Sequence, residues 1–305
     1  MKTIGIAGGT GFVGQYITRQ LTDKGYNVTI FTRNPGKYTG NDKVSYATLD
    51  ADSGQADVSA VGRLDGAINL SGAGVADKRW TAARKKEILD SRVNTTTFFI
   101  NQLQQFAPNC RTFVSASAIG IYGPDKEGNA PFTEDAPPYG DFLGDTCLQW
   151  EAASQKANDK FRTCIIRIGI VLGKESGAFR EFVKPMRFGI KPILGGGKQS
   201  TSWIEVEDLA RLFVHTLESE QMNGIYNGVA PNPVSHSALM DVIGEVMGGV
   251  KIPIPVPAIF LKIGLGEMSV EILKSCKVSA AKTIGTGFRF NHPAIRQAVE
   301  AILDK

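Results

Sequence analysis

Cysteine is scarce in this chain, and the four present, Cys110, Cys147, Cys164 and Cys276, form no C-x-x-C pair. That spacing suggests reduced thiols in a cytoplasmic protein, not a disulfide framework or a zinc site. Long apolar runs are missing too. The longest near the C-terminus, Ile252 to Leu265, is broken by three prolines and a lysine and is too short to span a bilayer. No internal repeat or low-complexity linker is present. Charge of one sign does not dominate: the formal net charge is +4, with both signs mixed along the chain. This gives no nucleic-acid signature. The one basic cluster, Arg84-Lys85-Lys86, meets Glu87 at once and reads as a solvated helix face. The first strand-like run begins almost at the N-terminus, so no signal peptide is expected.

What is present is a full α/β pattern within 305 residues, enough for a large core. Thr3 to Ala7 reads as a buried parallel strand that runs into Gly8-Gly9-Thr10-Gly11-Phe12-Val13-Gly14. A helical pattern with Val13, Ile17 and Leu21 on one face follows and ends at Gly25. A second strand spans Asn27 to Thr32. This β-α-β unit of about 30 residues is the setting in which a glycine fingerprint marks a dinucleotide site. Gly8 permits the tight turn, Gly11 lets a pyrophosphate approach the backbone, and Gly14 lets the helix pack closely. The helix N-terminus offers unpaired N–H groups to phosphate.

No acid stands at the end of the second strand, where a 2′-hydroxyl of NAD would be bound; the residues are Phe31-Thr32-Arg33-Asn34. An arginine can bind a 2′-phosphate that a carboxylate would repel. The expected cofactor is therefore NADP (NADPH), with a solvated strand-end arginine as the plainer alternative. Val44 to Leu49 reads as a third strand ending at Asp50, either an acceptor for the adenine amino group or a turn residue. Gly66 to Leu70 is a fourth strand, leading into Ser71-Gly72-Ala73-Gly74. A long helix pattern from Lys78 through Phe106 carries Glu87 and Arg92. Arg111 to Ser117 is a fifth strand, Phe142 to Lys156 a helix, and Phe161 to Leu172 a sixth strand. Beyond Gly173 come a helix from Gly177 to Phe188, a glycine turn at Gly195 to Gly197 without Walker spacing, and a strand from Gly224 to Val229. The remainder, from Pro231, reads as helical with a proline-rich connector. Strands alternating with helices predict a doubly wound parallel sheet. The expected division is a nucleotide-binding domain over 1–173, completed by 202–230, and a smaller, mostly helical lobe over 174–201 and 231–305.

These residues resemble an extended short-chain dehydrogenase/reductase. The matches are the Gly8 to Gly14 fingerprint, Asn69-Leu70-Ser71-Gly72, Ser115-Ala116-Ser117 before Tyr122-Gly123, and Arg167-x-Gly169. More narrowly, the chain is similar to the YfcH-like "epimerase family" through Arg79-Trp80, Trp150-Glu151-Ala152-Ala153, Gly169 to Gly173, Ser202-Trp203-Ile204 before Asp208-Leu209, Asn227 to Pro231, and Gly287 to Phe290. The resemblance implies a Rossmann fold of the extended type and an NADP(H)-dependent oxidoreductase or epimerase. The substrate implied is a small carbonyl or sugar-nucleotide-type molecule. Thr32 and Arg33 would hold the adenosine phosphate. Leu70 and Ser71 would line the ribose–pyrophosphate path, with Gly8, Thr10, Gly11, Phe12, Val13, Gly14, Gly72, Ser115 and Ala116 around it. Ile170 and Val171, after Gly169, would pack near the nicotinamide. Arg92 stands where such proteins carry Asn and could face phosphate. Glu87 could hold a ribose hydroxyl or orient Arg92, or both could be independent solvated charges. A homodimer is implied by analogy.

One element of the resemblance is missing. Members typically use Tyr-x-x-x-Lys for proton transfer, and alignment on Glu151 puts Leu143 and Cys147 at those positions. Proton transfer needs a titratable group within reach. Ser117 can polarise a carbonyl, and Tyr122 is a substitute proton donor or a scaffold residue. Two functional classes stay open: an enzyme with a non-standard proton donor, and an NADP-binding regulatory protein with little or no catalysis.

Overall fold

The computed structural model describes residues 1–125, 128, 130–174 and 177–304. The chain runs β1 (Thr3–Ala7), α1 (Phe12–Asp23), β2 (Asn27–Thr32), β3 (Val44–Asp50), β4 (Gln55–Ala56), α2 (Val58–Gly62), β5 (Gly66–Asn69), α3 (Ala82–Phe106), β6 (Thr112–Ala118), α4 (Phe142–Gln155) and β7 (Arg162–Ile168). It continues with β8 (Ile170–Leu172), α5 (Gly177–Met186), β9 (Ile190–Leu194), β10 (Ser200–Thr201), β11 (Trp203–Glu205), α6 (Val206–Glu218), β12 (Gly224–Gly228) and β13 (Val234–Ser235). The last elements are α7 (His236–Met247), β14 (Ile252–Val256), α8 (Ala258–Leu265), α9 (Ser269–Leu273), α10 (Ala281–Gly285) and α11 (Ile295–Asp304).

The main sheet has the order β12-β7-β6-β5-β1-β2-β3-β4, parallel except for the short antiparallel β4. Its central strands are apolar because both faces are covered. On one face α1 and α6 bury Ile17, Leu21, Leu209 and Phe213 against Ile4, Ile6, Val28 and Ile166. On the other, α2 and α3 bury Val61, Phe99, Ile100 and Leu103 against Phe31, Ala67 and Phe113. Chain order reverses between β1 and β5: β2 and β3 lie on one side of β1, and β5 and β6 lie on the other. A crevice for ligands opens at the carboxyl ends of strands flanking such a point.

The structure corrects several sequence expectations. The sixth strand is two strands, divided at Gly169. β7 stays in the main sheet, while β8 pairs in parallel with β11. A Cβ on Gly169 would lie 2.7 Å from the Ser202 carbonyl oxygen, so a glycine lets the chain cross over there. Helix α3 starts at Ala82 rather than Lys78, because Thr81 caps it by accepting from the Arg84 N–H at 3.1 Å. The helix α6 was not expected; Glu205 caps it by accepting from the N–H groups of Glu207 and Asp208. The proline-rich connector is strand β14, paired in parallel with β9. Ile252 donates its N–H to Gly189, so alternation turns the donor-less positions Pro253 and Pro255 away from β9. A separate apolar cluster beyond β8 joins Phe179, Met186, Trp203, Leu239, Ile243 and Val299.

Candidate functional site

The crevice at the carboxyl ends of β1, β2, β3 and β5 has a volume of about 580 Å³. Of the residues expected to bind the cofactor, it is lined by Gly8, Thr10, Gly11, Thr32, Arg33, Asp50, Leu70, Ser71, Gly72 and Glu87. The glycine loop explains itself sterically. Gly8 has φ +79°, and a Cβ there would lie 2.8 Å from the Leu70 carbonyl carbon. A Cβ on Gly14 would come within 2.6 Å of the Gly9 backbone. A Cβ on Gly11 would meet only the Gly8 carbonyl oxygen, at 3.3 Å, and otherwise open space. Gly8 and Gly14 thus bring strand, loop and helix together, and Gly11 leaves the backbone open at the start of α1.

Arg33 is exposed and makes no hydrogen bond or ion pair among the described residues. Asp50 accepts from the Asp52 N–H at 3.1 Å and the Ser53 hydroxyl at 2.8 Å. The Ser53 bond is the main reason its carboxyl is held below the usual range, and Arg33 adds to this. Asp50 is therefore a turn residue whose side chain also borders the cleft. Glu87 pairs with Arg84 at 2.8 Å, one turn earlier on α3. This pairing, foremost, holds the Glu87 carboxyl below its usual range. The expectation that Glu87 orients Arg92 is corrected, since Arg92 donates instead to the carbonyls of Ala73 and Ile88.

The other expected residues stand elsewhere. Phe12 packs against Gly173, where a Cβ would lie 2.4 Å from its ring, and Val13 packs on the main core. Ser115 and Ala116 are buried within β6; the Ser115 hydroxyl accepts from Ser154 at 2.9 Å. Ile170 is exposed and Val171 part-buried on β8. Ala73 lines the cleft within the expected small-residue loop Ser71 to Gly74, whereas sequence reasoning missed Asp52, Asp90, Ser91 and Thr95 among the lining residues. A signal for three of them existed: Glu87, Ser91 and Thr95 repeat every four residues, and Asp90 falls at i+3, on one face of α3. Ser91 accepts the Ala73 N–H at 2.9 Å and so fixes the loop after β5.

Ser117 and Tyr122, expected to do chemistry, belong to one buried network. The Ser117 hydroxyl donates to Glu151 Oε1 at 2.7 Å. Arg167 grips Glu151 through Nε at 2.8 Å and Nη2 at 2.9 Å. Its Nη1 donates to the Tyr122 oxygen at 2.8 Å and to the Glu134 carbonyl at 2.9 Å. The Tyr122 hydroxyl in turn donates to Asn227 Oδ1 at 2.8 Å. Burial pushes the Tyr122 phenol up to about 12. Tyr122 is fully buried with its proton and a lone pair committed, so it acts here as a link between β7, β12 and the loop after β6. Helix α4 contains neither tyrosine nor lysine. Leu143 lies on Gly120, and burial pushes the Cys147 thiol up to about 12, which removes it as a thiolate nucleophile near neutral pH.

Glu205, Asp208 and His292 bring ligand-type atoms within 4.8 Å of one another. Both Asp208 oxygens and Glu205 Oε2 already accept hydrogen bonds. Asp208 accepts from the N–H groups of Asn291 and His292 and from Arg211, and Glu205 caps α6. The cluster ties the C-terminal block to α6.

The sequence model of the NAD dependent epimerase/dehydratase family matches residues 4–227. A second, described as a domain of unknown function (DUF1731), matches residues 256–302. The epimerase family protein YfhF of Bacillus subtilis is 36% identical over 98% of this chain and 97% of its own. The crystal structure of the human epimerase family protein SDR39U1 (isoform 2) with NADPH is similar at a TM-score of 0.89 and 29% identity, with 99% of both chains covered. UDP-glucuronic acid 4-epimerase from Bacillus cereus, in complex with UDP-glucuronic acid and NAD, shares the fold at a TM-score of 0.80 and 16% identity, covering 99% of this chain and 98% of that one.

Proposed function

The chain belongs to the NAD dependent epimerase/dehydratase family, and on that premise we propose that it binds NADP(H) and acts as an oxidoreductase or epimerase on a small carbonyl or sugar-nucleotide-type substrate. The observation that carries the reading is the cleft itself. An open glycine loop faces it from one side, and Arg33, with no hydrogen bond or ion pair among the described residues, faces it from the end of β2. The similar human protein was crystallised with NADPH, which agrees with an arginine and no acid at that strand end. Gly8, Thr10 and Gly11 would take the pyrophosphate, Thr32 and Arg33 the adenosine 2′-phosphate, Asp50 the adenine, and Leu70, Ser71 and Gly72 the ribose path. The cofactor, when bound, supplies a hydride donor or acceptor.

In this reading Ser117 works as an acceptor. Its proton is directed to Glu151, so its lone pairs are left to hold a substrate hydroxyl, and Glu151 with Arg167 fixes that orientation. Phe12, Val13, Gly14, Ser115, Ala116 and Gly169 shape the site through packing, and Ile170 and Val171 border its nicotinamide end. A second reading, an NADP-binding protein with little catalysis, is favoured by the absence of tyrosine and lysine from α4. A homodimer in the cytoplasm is part of the proposal by analogy with the family. No helix among the described residues is long and apolar enough to cross a membrane.

The test is direct titration with NADPH, followed by turnover assays with sugar nucleotides and carbonyl compounds. Binding with turnover is expected. Tight binding with no turnover across the panel selects the second reading, and no binding overturns both.

A further inference from the structure

Arg92 carries a positive charge into the junction of α3, α4 and the Ser71–Ala73 loop, and no carboxylate among the described residues meets it. Its Nη1 donates to the carbonyls of Ala73 and Ile88, at 3.0 and 2.9 Å. Its guanidinium carbon lies 5.1 Å from the centre of the Trp150 ring. A Cβ on Gly72 would sit 3.0 Å from that carbon, so the glycine is what lets the loop pass over it. Nε and Nη2 have no acceptor among the described residues.

The other arginines of the interior are completed differently. Arg84 pairs with Glu87 and Asp77, and Arg167 with Glu151. Arg162 lacks a carboxylate, but its two terminal nitrogens donate to the carbonyls of Thr216, Met222 and Leu217 and to Thr112. Arg84 leaves its buried Nε unpaired, but of these four Arg92 alone leaves a terminal nitrogen, Nη2, without an acceptor among the described residues, while desolvation, with repulsion from Arg84, holds its pKa below the ordinary arginine value. The thiol facing it from α4, Cys147, is uncharged near neutral pH. A part-buried cation without a counter-charge lowers stability, and a carboxylate or phosphate oxygen is the group that completes a guanidinium fork. Gly72 and Ala73, which Arg92 touches, line the cleft, but Arg92 lies on their α4 side, across the loop from the crevice that Arg33 and Asp50 line.

We propose that Arg92 is a substrate-binding residue: stacked on Trp150 behind the Ser71–Ala73 loop, it uses its free N–H groups to hold an anionic oxygen, carboxylate or phosphate, of a substrate lying beyond the nicotinamide end of the cleft. The proposal rests on the cofactor reading above. It differs from a phosphate clamp for the cofactor and from a purely structural clamp on the loop, and the three are separable.

The experiment is calorimetric titration of wild type, Arg92→Gln and Arg92→Lys with NADPH, and then of the NADPH-saturated proteins with inorganic phosphate and with malonate. Wild type binds at least one of the two anions. Arg92→Gln weakens that binding tenfold or more, keeps the NADPH Kd within threefold, and melts at or above the wild-type temperature, since it removes an uncompensated charge. Arg92→Lys restores part of the anion affinity. The proposal is overturned if wild type binds neither anion, or if Arg92→Gln leaves anion affinity unchanged. A tenfold loss of NADPH affinity with anion binding intact assigns Arg92 to the cofactor instead. If NADPH fails to bind wild type, the cofactor reading falls separately, and the same anion comparison on the free protein decides Arg92.

Discussion

At the end of β2, Arg33 is exposed and makes no hydrogen bond or ion pair among the described residues, acting on Asp50 and Glu87 only through its charge. At the end of β6, Ser117 is 2% exposed and its hydroxyl is bonded to a carboxylate already held by an arginine. The two strand ends belong to the same sheet, yet Arg33 lines the crevice and is left open for a ligand, while Ser117 is not among the crevice's lining residues and is closed within the fold. Binding an anion at an exposed site needs only a free charge and an accessible backbone. Holding a hydroxyl in one orientation needs a support that does not move, and the bidentate Arg167–Glu151 pair gives it one. The residues that the sequence singles out for chemistry are thus the better supported structurally, and those it singles out for binding are the less constrained.

The contrast is broken most forcefully at its closed end. Arg167→Met leaves the Glu151 carboxylate buried without its partner. We expect a loss of about 3–5 kcal/mol of stability in chemical denaturation; a loss under 1 kcal/mol would show that the network is not a support. Gly14→Ala comes next. Its methyl would press on the Gly9 backbone, so a loss of about 1–3 kcal/mol is expected, together with weaker NADPH binding as α1 is displaced from the loop. Titration calorimetry on the folded variant reads the second effect.

Tyr122→Phe sharpens the comparison with a smaller change. It removes two hydrogen bonds, one to a charged group, at a cost of about 1.5–3 kcal/mol. NADPH affinity should stay the same, because Tyr122 does not reach the cleft. Its phenol also makes a pH prediction. The native pKa is raised to about 12, so the native state holds the proton more tightly than the unfolded chain. The stability this gives is fully present below the ordinary tyrosine range, near 10, and is lost as pH rises from there towards about 12. Denaturation midpoints measured across that window should fall more steeply for wild type than for Tyr122→Phe.

Much of the binding half was legible in the sequence, because local rules write it. Gly8, Gly11 and Gly14 sit within seven residues, and Arg33 follows a strand whose end is marked by its own pattern. The closed half was not legible. Ser117, Glu151 and Arg167 are spaced 34 and 16 residues apart, and their contact follows from the packing of α4 across β6 and β7. Glu87 shows the same limit within one helix: its i,i+3 partner Arg84 prevailed over Arg92, five residues away. Helix α6 went unread because its start is hidden behind strand β11, and the break at Gly169 because it depends on the distant Ser202 carbonyl.

The smallest structural perturbation bears on the central claim. Arg33→Ala should leave stability within about 0.5 kcal/mol, as an exposed side chain with no hydrogen bond or ion pair among the described residues. What should change is selectivity, and it is read by titrating wild type and variant with NADPH and NADH. The account predicts that wild type binds NADPH at least tenfold more tightly than NADH and that the ratio falls to near one in Arg33→Ala. An unchanged ratio, or a wild type that binds NADH as well as NADPH, would contradict it.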